Sequence, residues 1–409
     1  MLPLSAWLRR ADPGAPALIL PDRRVVTYGE AAACAQRSDW APRSGLAALE
    51  GDAGTVALGL LAAGLSGGTA FPLPPALLRR DELVAQARAA VSPRLTLVVA
   101  TSGTGGAPRG VRLSGRAVAA SARIAGRALG LKPGDVWLGC LPLHHIGGAM
   151  IPYRCWRAGA TALIHEGFDA RAVLRDLHNR RVTHVSLVPP MLSQLIEAAV
   201  PPPLTLRCAL VGGAALSATL LDKARRRGWP VRISYGMTET CATALLDGRP
   251  LPGVRVRVAA SGAIEVATPA RMSGYLVEPD IGEWITTRDL GRIDTLDSLG
   301  VVHVEGRADD MLVSAGVNVH PADVESRLSA CPGVREAGVA GLSDPVWGDV
   351  IAAAWEGEAG EADVETWCRR QMPDACRPRR FLRVAQLPRT AAGKLDRRGL
   401  ADLVAGRPA

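Results

Sequence analysis

The chain has 409 residues, 48% of them apolar, enough for two or three domains with large cores. Its 48 Lys and Arg against 39 Asp and Glu give a net charge of +9, but the basic residues are spread along the chain. That distribution argues against a nucleic-acid partner and leaves small anions as a use for the excess. The eight cysteines include no C-x-x-C pair, which argues against zinc and a disulfide framework and suits a reducing cytoplasm; no long apolar region follows Arg9 and Arg10, so no signal peptide is expected.

In chain order, residues 17–28 read as a hairpin turning at Pro21-Asp22, with a helix from Gly29. Residues 53–78 carry no charge and are long enough to span a membrane, but their glycines and prolines favour a buried helix (55–65), a Gly turn and a short strand, so no membrane span is expected. Residues 95–100 read as a buried strand, followed by a loop over 101–110. Helices are expected over 114–129, 170–180, 191–199 and 216–227. Strands are expected over 136–141, 160–164, 182–188 (closed by Pro189-Pro190), 207–211 and 231–234. This alternation predicts a parallel α/β core. After Thr240 the pattern changes to short strands (254–258, 263–266, 301–305), a β-rich subdomain. A small α+β unit follows, with helices over 321–328 and 364–370 and strands over 339–341 and 351–355. The expected division is a large domain, 1–308, with its β-rich part about 241–308, and a small α+β domain, 309–409.

Four clusters carry chemistry. The first is Thr101-Ser-Gly-Thr-Gly-Gly-Ala-Pro-Arg-Gly110. Its glycines let backbone N–H groups approach an anion, and its hydroxyls and guanidinium add donors, which is a polyphosphate grip. It fails the P-loop rule, because Val111 stands where Lys is required, and it fails the dinucleotide fingerprint at Pro108. The second is Ser234-Tyr-Gly-Met-Thr-Glu-Thr240, read as the loop leaving a strand. Tyr235 offers a flat ring, Thr238 a hydroxyl and Glu239 a hard oxygen ligand for Mg²⁺. The third pairs Thr286-Thr-Arg-Asp-Leu-Gly291 with Gly306-Arg-Ala-Asp-Asp310. An Asp beside Gly is usually a turn, whereas a carboxylate that binds ribose hydroxyls is the sharper reading. The fourth is Pro388-Arg-Thr-Ala-Ala-Gly-Lys394, which alone would be a basic helix start.

Together these clusters resemble the adenylate-forming superfamily of acyl-CoA synthetases, luciferases and peptide-synthetase adenylation domains, over essentially the whole chain. Its T-S-G-T-T-G-x-P-K-G, Y-G-M-T-E, T-G-D-x-G, G-R-x-D-D and P-R-x-x-x-G-K motifs correspond to the clusters in order. Within it, the chain is most similar to the o-succinylbenzoate–CoA ligases of menaquinone synthesis. Leu141-Pro-Leu-His-His-Ile-Gly-Gly148, Thr183-His-Val-Ser-Leu-Val-Pro189 and Leu210-Val-Gly-Gly-Ala-Ala215 carry that likeness. Arg109 stands where the superfamily has Lys, Gly105 replaces a Thr, and Ala315-Gly-Val-Asn318 replaces G-G-E-N, removing a carboxylate near the expected thiol channel.

The resemblance implies adenylation of a carboxylic acid by ATP with Mg²⁺, then transfer of the acyl group to coenzyme A; a carrier protein as acceptor and a homodimer are further possibilities it allows. It implies that Lys394 bridges the carboxylate and α-phosphate, that Thr238 touches the α-phosphate, and that Glu239 holds Mg²⁺. Ser102, Gly103, Thr104, Gly105, Gly106 and Arg109 would hold the β/γ-phosphates. Gly213, Ala214, Tyr235 and Gly236 would border the adenine, and Asp289 and Arg307 the ribose. His145 would gate an acyl pocket bordered by Gly212 and Met237, Arg154 would meet a substrate carboxylate, and Asp309 would be the hinge. For His145 the bland alternative is a packed loop residue, and for Arg154 a surface arginine with a snorkelling stem. Rival readings are an adenylating enzyme for another aryl or fatty acid, and a serine hydrolase using Gly64-Leu-Ser-Gly-Gly68.

Overall fold

Six parallel strands make the centre of the largest sheet. In spatial order they are Val231–Met237, Cys208–Gly212, His184–Leu187, Val136–Gly139, Thr161–Ile164 and Pro16–Ile19. Antiparallel strands close both edges: Ala242–Leu246 with Arg249–Pro250 at one, Val25–Thr27 at the other. The computed structural model describes residues 4–34, 45–102, 108–278, 281–294, 300–314, 317–344, 348–389 and 395–406. A second sheet runs Gly274–Tyr275, Pro108–Ser114, Leu95–Ser102, Thr69–Pro72 and Leu46–Leu49. Helix Ala53–Ser66 contacts strands of both sheets, as does Gly115–Ala128, so apolar strand runs are covered on both faces, as parallel sheets require.

Local chemistry explains where these helices start and stop. Asp52 accepts from the Thr55 N–H and Ser114 from the Ala117 N–H, so each satisfies an orphan donor at its helix N-terminus. Gly67, at φ 73°, ends the first of these helices in the left-handed region. Ser66 is that helix's last residue, and its hydroxyl donates to the Ala63 carbonyl. A G-x-S-x-G match placed at a helix C-terminus is no nucleophile elbow. Ser66→Ala is therefore expected to leave turnover within about twofold of wild type and to lower stability by about 1 kcal/mol, the scale of one local, part-buried hydrogen bond; a steady-state assay and a melt check both. No described helix is long and apolar enough to cross a membrane.

Contacts divide the chain into two units. The first comprises Met1–Gly213, Ala224–Val256 and Val266–Ile285; the second comprises Ala214–Lys223, Arg257–Glu265 and Thr286–Ala409. A four-stranded sheet, Arg255–Val258, Ala263–Ala267, Ile285–Asp294 and Val301–Arg307, supplies the expected β-rich part. In the last hundred residues, Val334–Asp344 and Gly348–Gly357 form a long antiparallel pair, joined by Leu312–Ser314, Val317–Val319 and a parallel strand, Arg380–Arg383. Trp355, Val339, Ile351 and Val364 make its core.

Arg397 ties that second unit together. It pairs with Glu325 (2.5 Å) and Asp310 (3.0 Å) and donates to the Val339 carbonyl (2.8 Å). Although burial works against its charge, Glu325 and Asp310 hold its pKa above the ordinary arginine value. Arg397→Ala leaves two carboxylates without their cation and is expected to destabilise this unit by about 2 kcal/mol, read as a lower urea midpoint.

The structure corrects several boundaries. Pro108, Arg109 and Gly110, expected in a loop, begin the strand Pro108–Ser114, which pairs with Leu95–Ser102 at Ser102↔Pro108 and Thr101↔Arg109; a proline is tolerated at a strand's first residue, where its missing N–H breaks no ladder bond. The strand expected over 231–234 continues through Met237, so Tyr235, Gly236 and Met237 are strand residues rather than loop. Thr286 to Gly291 lie within a ten-residue strand, not a turn. The proline pair at 189–190, read as closing a strand, opens the helix Pro189–Glu197, where a missing N–H costs nothing.

Candidate active site

In the first unit, the antiparallel strands Leu95–Ser102 and Pro108–Ser114 flank the glycine-rich cluster in sequence. Gly103, Thr104, Gly105 and Gly106 lie outside the described residues, as does Lys394; Ser102 is described through its backbone only. Arg109 is described in full. Its guanidinium lies over the Tyr275 ring, 3.4 Å from the centroid, and pairs with Glu278 at 2.6 Å. The Tyr275 hydroxyl donates to Glu239 Oε1 at 2.9 Å. Burial, and then the neighbouring Glu239 carboxylate, push the Tyr275 hydroxyl pKa far up, so it stays a donor at any working pH. Arg109, Tyr275 and Glu239 are thus one contiguous cluster.

Glu239 sits in the single turn Thr238–Thr240, immediately after the strand Val231–Met237. Met272 N–H donates to the Glu239 carbonyl and Thr240 caps the Met237 N–H, which fix the turn's direction. Cys241 (φ 52°) and Ala242 (φ 76°) follow in the left-handed region without being glycine, a local strain placed next to the cluster. Gly236 faces the Ala242 carbonyl so closely that any Cβ would overlap it; only glycine lets the strand reverse there. Gly212 and Gly213 end the adjacent strand Cys208–Gly212, with Gly212 packed against Ser234, and Ala214 follows in sequence.

The turn at Glu239 fits MgATP as a substrate. Mg²⁺ takes one or two carboxylates and completes its octahedron with phosphate oxygens and water, rather than an all-protein cage. Glu239 commits one oxygen to Tyr275, and no cluster of three or more His, Cys, Asp or Glu ligands occurs among the described residues. One carboxylate beside a guanidinium therefore matches a cation that arrives on a polyphosphate.

His145 occupies the N-cap position of the helix Ile146–Ala158, half-buried, with its ring 4.4 Å edge-on to His144. Burial lowers the His144 pKa, which keeps that neighbour neutral near pH 7. His145 thus ends the loop before that helix, packed against its neighbour's ring. Arg154 lies in the same helix and is 1% exposed, which removes the surface reading. Its guanidinium donates to Thr243 Oγ1 (3.1 Å) and lies 5.5 Å from the Trp137 ring; its Nε is buried with no partner. Thr243 in turn shares a 2.9 Å hydrogen bond with Ser234, so a polar chain runs from Arg154 to the strand that carries Tyr235 and Met237. Burial pushes the Arg154 pKa down to about 10, still charged at neutral pH.

In the second unit, Asp289 and Arg307 are register partners on neighbouring strands, 3.2 Å apart. Arg307 also forks onto both oxygens of Asp309 (3.0 and 2.9 Å), and Arg288 approaches the same carboxylate at 3.4 Å. Burial opposes its ionisation, but these two arginines hold the Asp309 carboxyl below the usual carboxylate range. The two halves of the third motif are thus brought side by side. Thr287 accepts from the Asp289 N–H, which sets that carboxylate's backbone. Tyr275 and Glu278 were not among the sequence candidates; each lies more than 160 residues from Arg109, and no local pattern marks either of them.

A two-unit α/β architecture with this strand pair, turn and aspartate-bearing strand is that of a nucleotide-dependent enzyme. Residues 51–276 match the model of the AMP-binding enzyme family, and residues 323–394 match that of the AMP-binding enzyme C-terminal domain. The chain belongs to the AMP-binding enzyme family. It is 34% identical over 362 residues to the 2-succinylbenzoate–CoA ligase of Bacillus velezensis, a match that covers 80% of this chain and 74% of that one. It is similar, with a TM-score of 0.85, 26% identity and 98% of both chains covered, to the o-succinylbenzoate CoA synthetase (MenE) of Bacillus subtilis in complex with the acyl-adenylate intermediate OSB-AMP. The same synthetase in complex with ATP and magnesium ion matches with a TM-score of 0.84 and 26% identity, over 98% of this chain and 99% of that one.

Proposed function

We propose that this chain is an AMP-forming acid–CoA ligase that adenylates o-succinylbenzoate with MgATP and transfers the acyl group to coenzyme A, in the cytoplasm, as a step of menaquinone biosynthesis. The observation that supports the reading is the convergence of Arg109 and Glu239 on one tyrosine, which brings together the cation assigned here to phosphate and the carboxylate assigned here to Mg²⁺. The likeness to 2-succinylbenzoate–CoA ligases supports the choice of acid.

In the first step a carboxylate oxygen attacks the α-phosphorus, the bond to the bridging oxygen breaks, and pyrophosphate leaves. Two anions must approach, so the reaction needs positive charge and fixed donors where the transition state gathers charge. Arg109, Ser102 and Thr104 are assigned the β/γ-phosphates, with the backbone of Gly103, Gly105 and Gly106. Thr238 and Lys394 are assigned the α-phosphate and Glu239 the Mg²⁺. Gly213, Ala214, Tyr235 and Gly236 are assigned the adenine, and Asp289 and Arg307 the ribose. Asp309 is assigned the hinge of a lid formed by residues 309–409.

In the second step the coenzyme A thiolate attacks the acyl carbon and AMP departs with the bonding pair. His145, Gly212 and Met237 are assigned the acyl pocket. Arg154 is assigned the carboxylate of the acid that is not activated. A panel of acids in ATP–pyrophosphate exchange tests the reading. o-Succinylbenzoate is expected to give the highest kcat/KM, and no preference for it over monocarboxylic aryl or fatty acids would remove the substrate assignment.

A further inference from the structure

The segment from Met272 to Leu276 touches both halves of the nucleotide cluster through its backbone. Met272 N–H donates to the Glu239 carbonyl, and Ser273 N–H and Leu276 N–H donate to the carbonyls of Arg112 and Gly110. Arg112 Nε returns a hydrogen bond to the Tyr275 carbonyl at 2.9 Å. Tyr275 is therefore held rigidly between the turn that bears Glu239 and the strand that bears Arg109. Its side chain repeats the link, hydroxyl to Glu239 at 2.9 Å and ring face to Arg109 at 3.4 Å.

We propose that Tyr275 is a positioning residue for the adenylation step: its hydroxyl fixes the Glu239 carboxylate for the metal ion while its ring carries Arg109 for the phosphates. The proposal rests on the assignment of Mg²⁺ to Glu239 and of phosphates to Arg109. A hydroxyl on one oxygen turns the carboxylate's second oxygen to the cation without spending it on a protein cation. A planar guanidinium lies flat on an aromatic face, which an ammonium cannot match, and this gives the arginine at position 109 a physical reason. Glu278 at 2.6 Å completes the seat. Among the described residues Nε is buried and makes no hydrogen bond, so that donor of the guanidinium is unspent.

Two substitutions separate the two functions. Tyr275→Phe keeps the ring and removes the hydroxyl, whereas Tyr275→Leu removes both. The readout is calorimetric binding of a non-hydrolysable ATP analogue to the full chain, titrated over Mg²⁺ and repeated in chelator. Tyr275→Phe is expected to raise the Mg²⁺ concentration for half-maximal binding about five- to tenfold and to leave metal-free binding unchanged. Tyr275→Leu is expected to weaken both. Equal weakening of Tyr275→Phe with and without Mg²⁺ would mean a general packing role and would overturn the proposal. An unchanged Mg²⁺ requirement in Tyr275→Phe, while Glu239→Gln raises it, would overturn the proposal and leave the Glu239 assignment standing. An unchanged requirement in Glu239→Gln would remove that assignment and the proposal with it. If the Leu variant does not fold, the Phe variant, which keeps the packed ring, decides.

Discussion

Lys394→Ala is expected to lower ATP–pyrophosphate exchange by about 10²–10³-fold, while thioester formation from pre-made acyl-AMP stays within about tenfold of wild type. The asymmetry follows from the charges in the two steps. In the first, a carboxylate approaches a phosphate, and one cation between them is worth roughly 3–4 kcal/mol on the scale of a lost oxyanion donor. In the second, the carbonyl is already activated and AMP leaves without needing a proton, so far less depends on that ammonium. Loss of fold is not expected to cloud the result. Arg389 and Leu395 make an antiparallel bridge around the segment, Asp396 N–H donates to the Pro388 carbonyl, and Asp396 caps the helix Arg397–Val404. Arg389 is further anchored by Glu336. None of these contacts uses the lysine side chain. A variant that keeps both half-reactions would show that another group bridges the carboxylate and the α-phosphate.

The parallel core was legible because its strands are short apolar runs and helices such as Ala170–Asn179, with Val173, Leu174 and Leu177 buried, carry an apolar stripe. Helix Pro321–Leu328 falls where its opening proline and its Val324 and Leu328 spacing place it. The helix Ile146–Ala158 was not expected, and the reason is physical. Met150, Ile151, Tyr153, Arg154, Cys155 and Trp156 are all buried, so it has no polar face to produce a period. A proline at 152 further disguises it. The strand Ile285–Asp294 was hidden differently. Ile285 and Thr287 point inward while Thr286 and Arg288 point out, a period of two written largely in polar residues. Asp289 and Arg307 could be paired as candidates from motif order; their register could not, because a hairpin's pairing depends on the chain between its strands. The Tyr275 link was invisible for a stronger reason: it joins three distant segments, which the pairing of Gly274–Tyr275 with Pro108–Ser114 and the Met272 N–H bond to the Glu239 carbonyl bring together.

Arg154→Met is expected to move stability and specificity in opposite directions. The side chain is fully buried, its only described hydrogen bond is to a neutral threonine, and its Nε has no partner. A cation in that setting is a standing cost, which burial registers by lowering its pKa from the ordinary arginine value to about 10. The unfolded chain thus holds the proton more tightly. At pH 7 both states are charged and the cost is fully present; it is relieved as pH rises above about 10 towards the ordinary arginine value. A methionine of similar volume removes it, so the variant is expected to melt at the same or a higher temperature near neutrality. Binding should change the other way. A carboxylate brought by the substrate would be this cation's first full counter-charge, and losing such a pair costs roughly 3 kcal/mol, or about 100-fold in KM for o-succinylbenzoate. The KM for ATP is expected to stay within about twofold. An analogue that lacks the second carboxylate gains nothing from the cation, so wild type should discriminate against it and Arg154→Met should not. Equal discrimination in both enzymes would make Arg154 a structural residue, and the second carboxylate would then have to be met elsewhere in the acyl pocket.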